Sequence, residues 1–207
     1  MENKIRSIKK TYPTSCRLWS VIRLHDNVVN KPSMSHFFAR YALAYGFMGI
    51  KVNGYKEHTL RGYNALLKMQ LVFSTLEMLI KAVGDLKHKV SVPQKTYLYI
   101  LVDEKLEKKI RSNQELLKVL YKYSDIPLQK NLRRFMNFET QNLIYIASSI
   151  RHLMAHGVLT ANGANLKLVK DIKVVEELSN TLLNFVDEKF SDFVMRFDEY
   201  VTLKIAN

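Results

Sequence analysis

"NLIYIASSIRHLMAHG", residues 142–157, decides how the rest of the chain is read. Its apolar residues recur at three- and four-residue intervals. With about 100° of turn per residue, Leu143, Ile146, Ala147, Ile150, Leu153 and Met154 share one broad face, which must be buried. Tyr145, Ser149, His152 and His156 fall on the opposite face, with Ser148 beside them. Arg151 sits at the boundary, where its stem can lie along apolar surface and its guanidinium reach the polar side. The pattern predicts a helix over 139–156. Gly157 is the expected residue just past its end, so His156 lies in the last turn.

Upstream, the same reasoning predicts more helices. "SMSHFFARYALAYGFMGI" (33–50) begins one at Ser33 or Ser35, both good N-caps, and its glycines end it near Phe47. A long helix follows over 57–83, with Leu60, Leu67, Leu71, Met78 and Ile80 on its apolar face and Gly84 as a stop. Gly62 weakens its first turns. "TYLYILVDEKLEKKI" (96–110) is strand-like in its first half and helical in its second. Ser112 and Glu115 form a capping-box pattern that opens a helix through Tyr123. Pro127 suits the first turn of a short basic helix containing Arg133 and Arg134.

Downstream, Asn162–Gly163 between two alternating runs predicts a hairpin. Residues 173–204 read as a long amphipathic helix with Leu178, Leu182, Phe185, Val186, Phe193, Phe197, Tyr200 and Val201 at helical spacing. The expected fold is all-α: an antiparallel helical bundle over 33–207 with a small β-hairpin after the motif helix. A basic arm, 1–32, precedes it, punctuated by Pro13 and Pro32.

Of 207 residues, 47% are hydrophobic, enough to build a core. The longest uninterrupted apolar stretch, Tyr41–Ile50, is about half a membrane span and is broken by Gly46 and Gly49. Met1–Lys10 is basic with no apolar region after it, so no signal peptide and no membrane association is expected, and the protein is read as cytoplasmic. The single cysteine, Cys16, excludes an internal disulfide and a cysteine-rich zinc site. The net charge is +13. Lys and Arg outnumber Asp and Glu by 27 to 11 over residues 1–169, and are outnumbered 5 to 8 over 170–207. A basic body of this size attracts polyanions and favours a nucleic-acid partner; the plainer reading is that surplus lysine only keeps the protein soluble.

The end of the motif helix carries groups suited to phosphate chemistry. A helix C-terminus complements a protonated imidazole, histidine serves as a general acid or base, and arginine grips a phosphate with two parallel hydrogen bonds. Arg151 and His156 lie about 140° apart around the axis and can flank one groove. A plainer reading is that both residues only complement the helix dipole. A third is a metal site, since His152 and His156 are four apart on one face. No glutamate follows His152, however, and no third ligand is evident. The chain has neither Gly-x-Ser-x-Gly nor a glycine-rich phosphate loop.

"RHLMAH", Arg151 to His156, resembles the Arg-x(4–6)-His signature of the HEPN superfamily of helical ribonucleases and RNA-binding domains. His152 suits the position after the arginine, and "AHG" suits the helix end. The resemblance implies a bundle of four to five helices that acts as a homodimer with a composite site. It also implies metal-independent RNA cleavage: the ribose 2′-hydroxyl attacks the adjacent phosphate and leaves a cyclic phosphate. No cofactor is expected. Arg151 then binds the scissile phosphate, His156 transfers protons, and His152 is an auxiliary contact. Glu77, which interrupts an apolar surface and so needs a partner, orients Arg151 from an earlier helix. Lys109, Arg111, Arg133 and Arg134 are the expected RNA-backbone contacts. "KKTYPTSCRLW" (9–19) interleaves basic and aromatic residues as a stacking surface does. The family also makes an antitoxin or nucleotidyltransferase partner plausible, in a toxin–antitoxin or antiviral setting. The alternative function is a non-catalytic helical RNA-binding or protein-interaction module.

Overall fold

A computed structural model describes residues 31–84, 100–161 and 169–195. Within them lie seven helices and no strand: α1 Lys31–Gly46, α2 Glu57–Gly84, α3 Glu104–Ser112, α4 Gln114–Tyr123, α5 Ile126–Met136, α6 Ile144–Ala155 and α7 Val169–Met195. The described part of the chain is therefore all-α, as expected. Its residues divide into two compact units. One holds 31–47, 74–84 and 183–195; the other holds 48–73, 100–161 and 169–182. No described helix is long and apolar enough to cross a membrane.

The first unit is built on aromatic residues. Met34, Phe37, Tyr41 and Ala44 form one buried stripe along α1 at alternating three- and four-residue steps. Phe190 of α7 packs on Phe37 with ring centroids 5.2 Å apart and meets Phe38 edge-on at 5.4 Å. Arg40 donates to the Ser74 hydroxyl. Burial among these groups pushes the Tyr41 hydroxyl well above its ordinary pKa, and the nearby Asp187 carboxylate adds to the effect.

In the second unit α4 packs on α3, α5 and α6, and α5 packs on α6. Several caps differ from expectation by a residue or more. The cap of α4 is Asn113, whose side chain accepts from Leu116 N–H; Ser112 instead ends α3 and donates to the Lys109 carbonyl. Asn113 also donates to the buried Asp171 at 2.6 Å. The one side chain thus caps α4 through its oxygen and ties it to α7 through its amide nitrogen. Residues 100–103 form no strand: Asp103 caps α3, and Leu101 is pinned through its backbone to Asn142 and Leu143.

The apolar face of α2 is also phased differently. Ala65, Leu66, Met69, Val72, Phe73, Leu76 and Leu79 are buried along with Met78, while Leu60, Leu67, Leu71 and Ile80 are only half-buried. The helix is apolar over more than half its circumference, so periodicity alone does not choose the stripe. Gly62 has a packing role: a Cβ there would lie 2.8 Å from the Ala161 Cβ. The hairpin turn expected at Asn162–Gly163 falls in 162–168, outside the described residues. The first arm does not extend, because Val158 and Leu159 both donate their N–H groups to the Leu153 carbonyl at the end of α6. Phe197, Tyr200, Val201 and residues 1–30 of the expected arm likewise lie outside the described residues, while residues 31 and 32, the arm's expected end, already belong to α1.

Candidate functional site

The motif helix α6 begins at Ile144, five residues later than expected. No side chain caps it in the usual way. Instead the Asn142 side-chain oxygen accepts from Ile144 N–H at 3.1 Å and from Leu101 N–H at 3.0 Å, tying the helix start to the segment before α3. Leu143, Ile146, Ala147, Ile150 and Leu153 are buried, as the spacing predicts, while Met154, expected on the same face, is only half-buried at its edge. Ser149 is buried too, although it falls on the polar side. Its hydroxyl donates to the Tyr145 carbonyl one turn back, which satisfies it without water.

The other end of α6 closes as a Schellman turn. Gly157 takes φ +68°, Gly157 N–H donates to Met154 O, and Val158 N–H donates to Leu153 O. The last carbonyls are thus satisfied by the chain itself, and His156 is left exposed at the cap. Its ring lies against His152, with centroids 4.4 Å apart. His152 in turn faces Asp125, its Nε2 4.0 Å from the carboxylate. Asp125 has two tasks. Its Oδ1 caps α5 by accepting from Leu128 N–H at 3.0 Å, and its Oδ2 is the oxygen turned toward His152. At 4.0 Å the imidazole and carboxylate do not hydrogen-bond directly, but a protonated His152 would be attracted to Asp125. The neighbouring Ser124 is buried, and its hydroxyl finds no hydrogen-bond partner among the described residues.

Arg151 is half-buried and its Nε is sealed from solvent, so the guanidinium is held close to the protein surface. Glu77 is exposed on α2. Asp125 is the acidic residue that the sequence did not single out. The only local signal was its place before Ile126–Pro127, which announces a helix cap and says nothing of His152.

The four expected RNA contacts have different fates. Lys109 is paired with both carboxylate oxygens of Glu177 at 2.7 Å, beside a cavity of about 230 Å³ that no residue of α6 lines. Arg111 is a strut, not a surface cation. It bonds Glu107 at 2.6 Å, donates to the Phe135 and Thr140 carbonyls, and lies between the rings of Phe135 and Phe138, 4.1 Å from each centroid. A guanidinium is the one cation that can serve three acceptors and two ring faces at once, which explains its burial. Arg133 and Arg134 are exposed on α5; Arg133 donates to the Tyr121 hydroxyl at 2.5 Å, and Arg134 lies 3.9 Å from Glu139. Among the described residues, no group of three or more His, Cys, Asp or Glu side chains is placed to hold a metal ion. Comparisons with protein-family models, with curated proteins and with solved structures return no match for this chain.

Proposed function

We propose that the C-terminal end of α6 is the working edge of a metal-independent endoribonuclease of the HEPN type, active as a homodimer that brings two such edges around one phosphate. The observation that carries this reading is an exposed imidazole, His156, packed at a tilt against His152 and five residues from Arg151, at the end of a helix in a strongly basic chain. In the reaction the ribose 2′-oxygen bonds to phosphorus as the bond to the 5′-oxygen breaks. The 2′-hydroxyl gives up its proton and the leaving 5′-oxygen gains one. Arg151 neutralises the charge that develops on the phosphate oxygens, and His156 exchanges the protons. His152 takes a larger part than the sequence suggested: it sits between His156 and Asp125 and sets the orientation of the exposed ring. An antitoxin or nucleotidyltransferase partner belongs to this reading, in a toxin–antitoxin or antiviral setting.

The test is cleavage of a mixed-sequence RNA in excess chelator. Wild type is expected to cut and to leave 2′,3′-cyclic ends. His156→Ala is expected to lose about a hundredfold or more in rate while keeping its fold. Equal rates for the two proteins would remove His156 from the chemistry. The second reading is a non-catalytic RNA-binding or protein-interaction module; the commitment of Lys109 and Arg111 to internal partners takes two cations from RNA and favours its protein-interaction form. Binding without cleavage would support it.

A further inference from the structure

Helix α5 leads from the acidic neighbour of His152 toward an aromatic ring at its other end, and its outer face is basic. Lys130, Arg133 and Arg134 are all exposed. At about 100° per residue they fall within an arc roughly 100° wide, centred opposite the buried Leu132 and Phe135. Ile126, Pro127 and Asn137 complete the same exposed face. The helix then ends in a second Schellman turn: Phe138 N–H donates to Phe135 O, and Glu139 N–H donates to Arg134 O.

The residue in the left-handed position of that turn is Phe138, at φ +63°. Glycine ordinarily fills this place, and a bulky side chain there is strained. The ring nonetheless remains 76% exposed. One part of it is backed by the Arg111 guanidinium, which is itself fixed by Glu107, Phe135 and Thr140. Phe138 is therefore an aromatic surface held rigidly at the end of a row of cations.

We infer that the outer face of α5 is a track for single-stranded RNA, with phosphates on Lys130, Arg133 and Arg134 and an unstacked base on Phe138. From Asp125 to Phe138 the track is roughly 20 Å long, room for about four nucleotides, the low end for single-strand sites. It rests on the proposed function, because it runs toward the His152/His156 edge and names what lies beside the scissile phosphate. Single strands are favoured because only an unpaired base can lie on Phe138. The Tyr121 hydroxyl on Arg133 and the long contact of Arg134 to Glu139 orient these cations and do not neutralise them in the way Glu177 holds Lys109.

The test uses the full chain and a fluorescent 2′-O-methyl RNA 12-mer, which cannot undergo 2′-hydroxyl attack, so binding is read apart from cleavage. The variant Lys130→Gln/Arg133→Gln/Arg134→Gln is expected to weaken binding at least tenfold and to reduce the log–log salt slope by about 2. Phe138→Ala is expected to weaken binding about tenfold, and Phe138→Trp to restore it, with melting curves showing that each variant is folded. The inference is overturned if wild type does not bind the 12-mer, if it prefers duplex RNA or phosphatidylserine vesicles, or if the triple variant binds like wild type. Wild-type binding lost in these variants, together with no cleavage of ordinary RNA, would sustain the track and reject the nuclease.

Discussion

Arg111→Lys separates a structural guanidinium from an RNA-binding one. Both residues carry a positive charge, so a simple phosphate contact would tolerate the exchange. The structure predicts otherwise. The side chains of Arg111 and Glu107 are only 10% and 8% exposed. Lysine has one nitrogen and can keep the bond to Glu107, but it cannot also reach the Phe135 and Thr140 carbonyls with a planar fork. Bonds from a charged donor are worth about 1.5–3 kcal/mol each. The stacking between Phe135 and Phe138 adds about 0.5–2 kcal/mol. Allowing for partial recovery by water, the expected loss is about 3 kcal/mol, read as a lower urea midpoint for the loss of helical circular dichroism. Arg111→Met, which leaves the Glu107 carboxylate buried without its partner, is expected to cost more, about 3–5 kcal/mol. A loss below about 1 kcal/mol for Arg111→Lys would refute the strut and return Arg111 to the surface contacts.

Gly62→Ala tests the close approach of α2 to the chain that follows α6. Helix propensity alone favours alanine by about 1 kcal/mol, but the added Cβ would stand 2.8 Å from that of Ala161. Overpacking of this kind costs about 1–3 kcal/mol, so the melting temperature should not rise; a higher one would show that Ala161 yields freely. Tyr41→Phe tests the buried phenol in the first unit. Its pKa is raised in the folded state, so its contribution is complete below the unfolded value of about 10 and is lost as pH climbs above it. The stability of wild type relative to Tyr41→Phe should therefore be constant from pH 7 to 9 and fall above pH 10. A flat difference across that range would mean the hydroxyl is solvated.

Much of the secondary structure was legible because it rests on short-range patterns. The end of α1 at Gly46, the end of α4 at Tyr123, Pro127 in the first turn of α5, and Gly157 past α6 all follow from spacing or from one residue's backbone preference. The buried face of α6 was legible for the same reason. The phase of α2 was not, because a helix apolar over most of its surface needs its neighbours to say which side is covered. The cap of α4 is Asn113, whose second hydrogen bond goes to Asp171, 58 residues away, a partner that chain order does not announce.

The site divides along the same line. Sequence alone determined that Arg151, His152 and His156 share the last turns of one helix, since a 3.6-residue repeat needs no knowledge of the rest of the chain. It could also say that the chain is basic. Which of those cations face solvent was decided only by tertiary structure, because burial and pairing depend on groups that chain order does not bring together. Glu107, Phe135 and Thr140 converge on Arg111, and Glu177 on Lys109, while α5 leaves Lys130, Arg133 and Arg134 in one arc. Tertiary packing likewise set Asp125 before His152 and left Glu77 exposed.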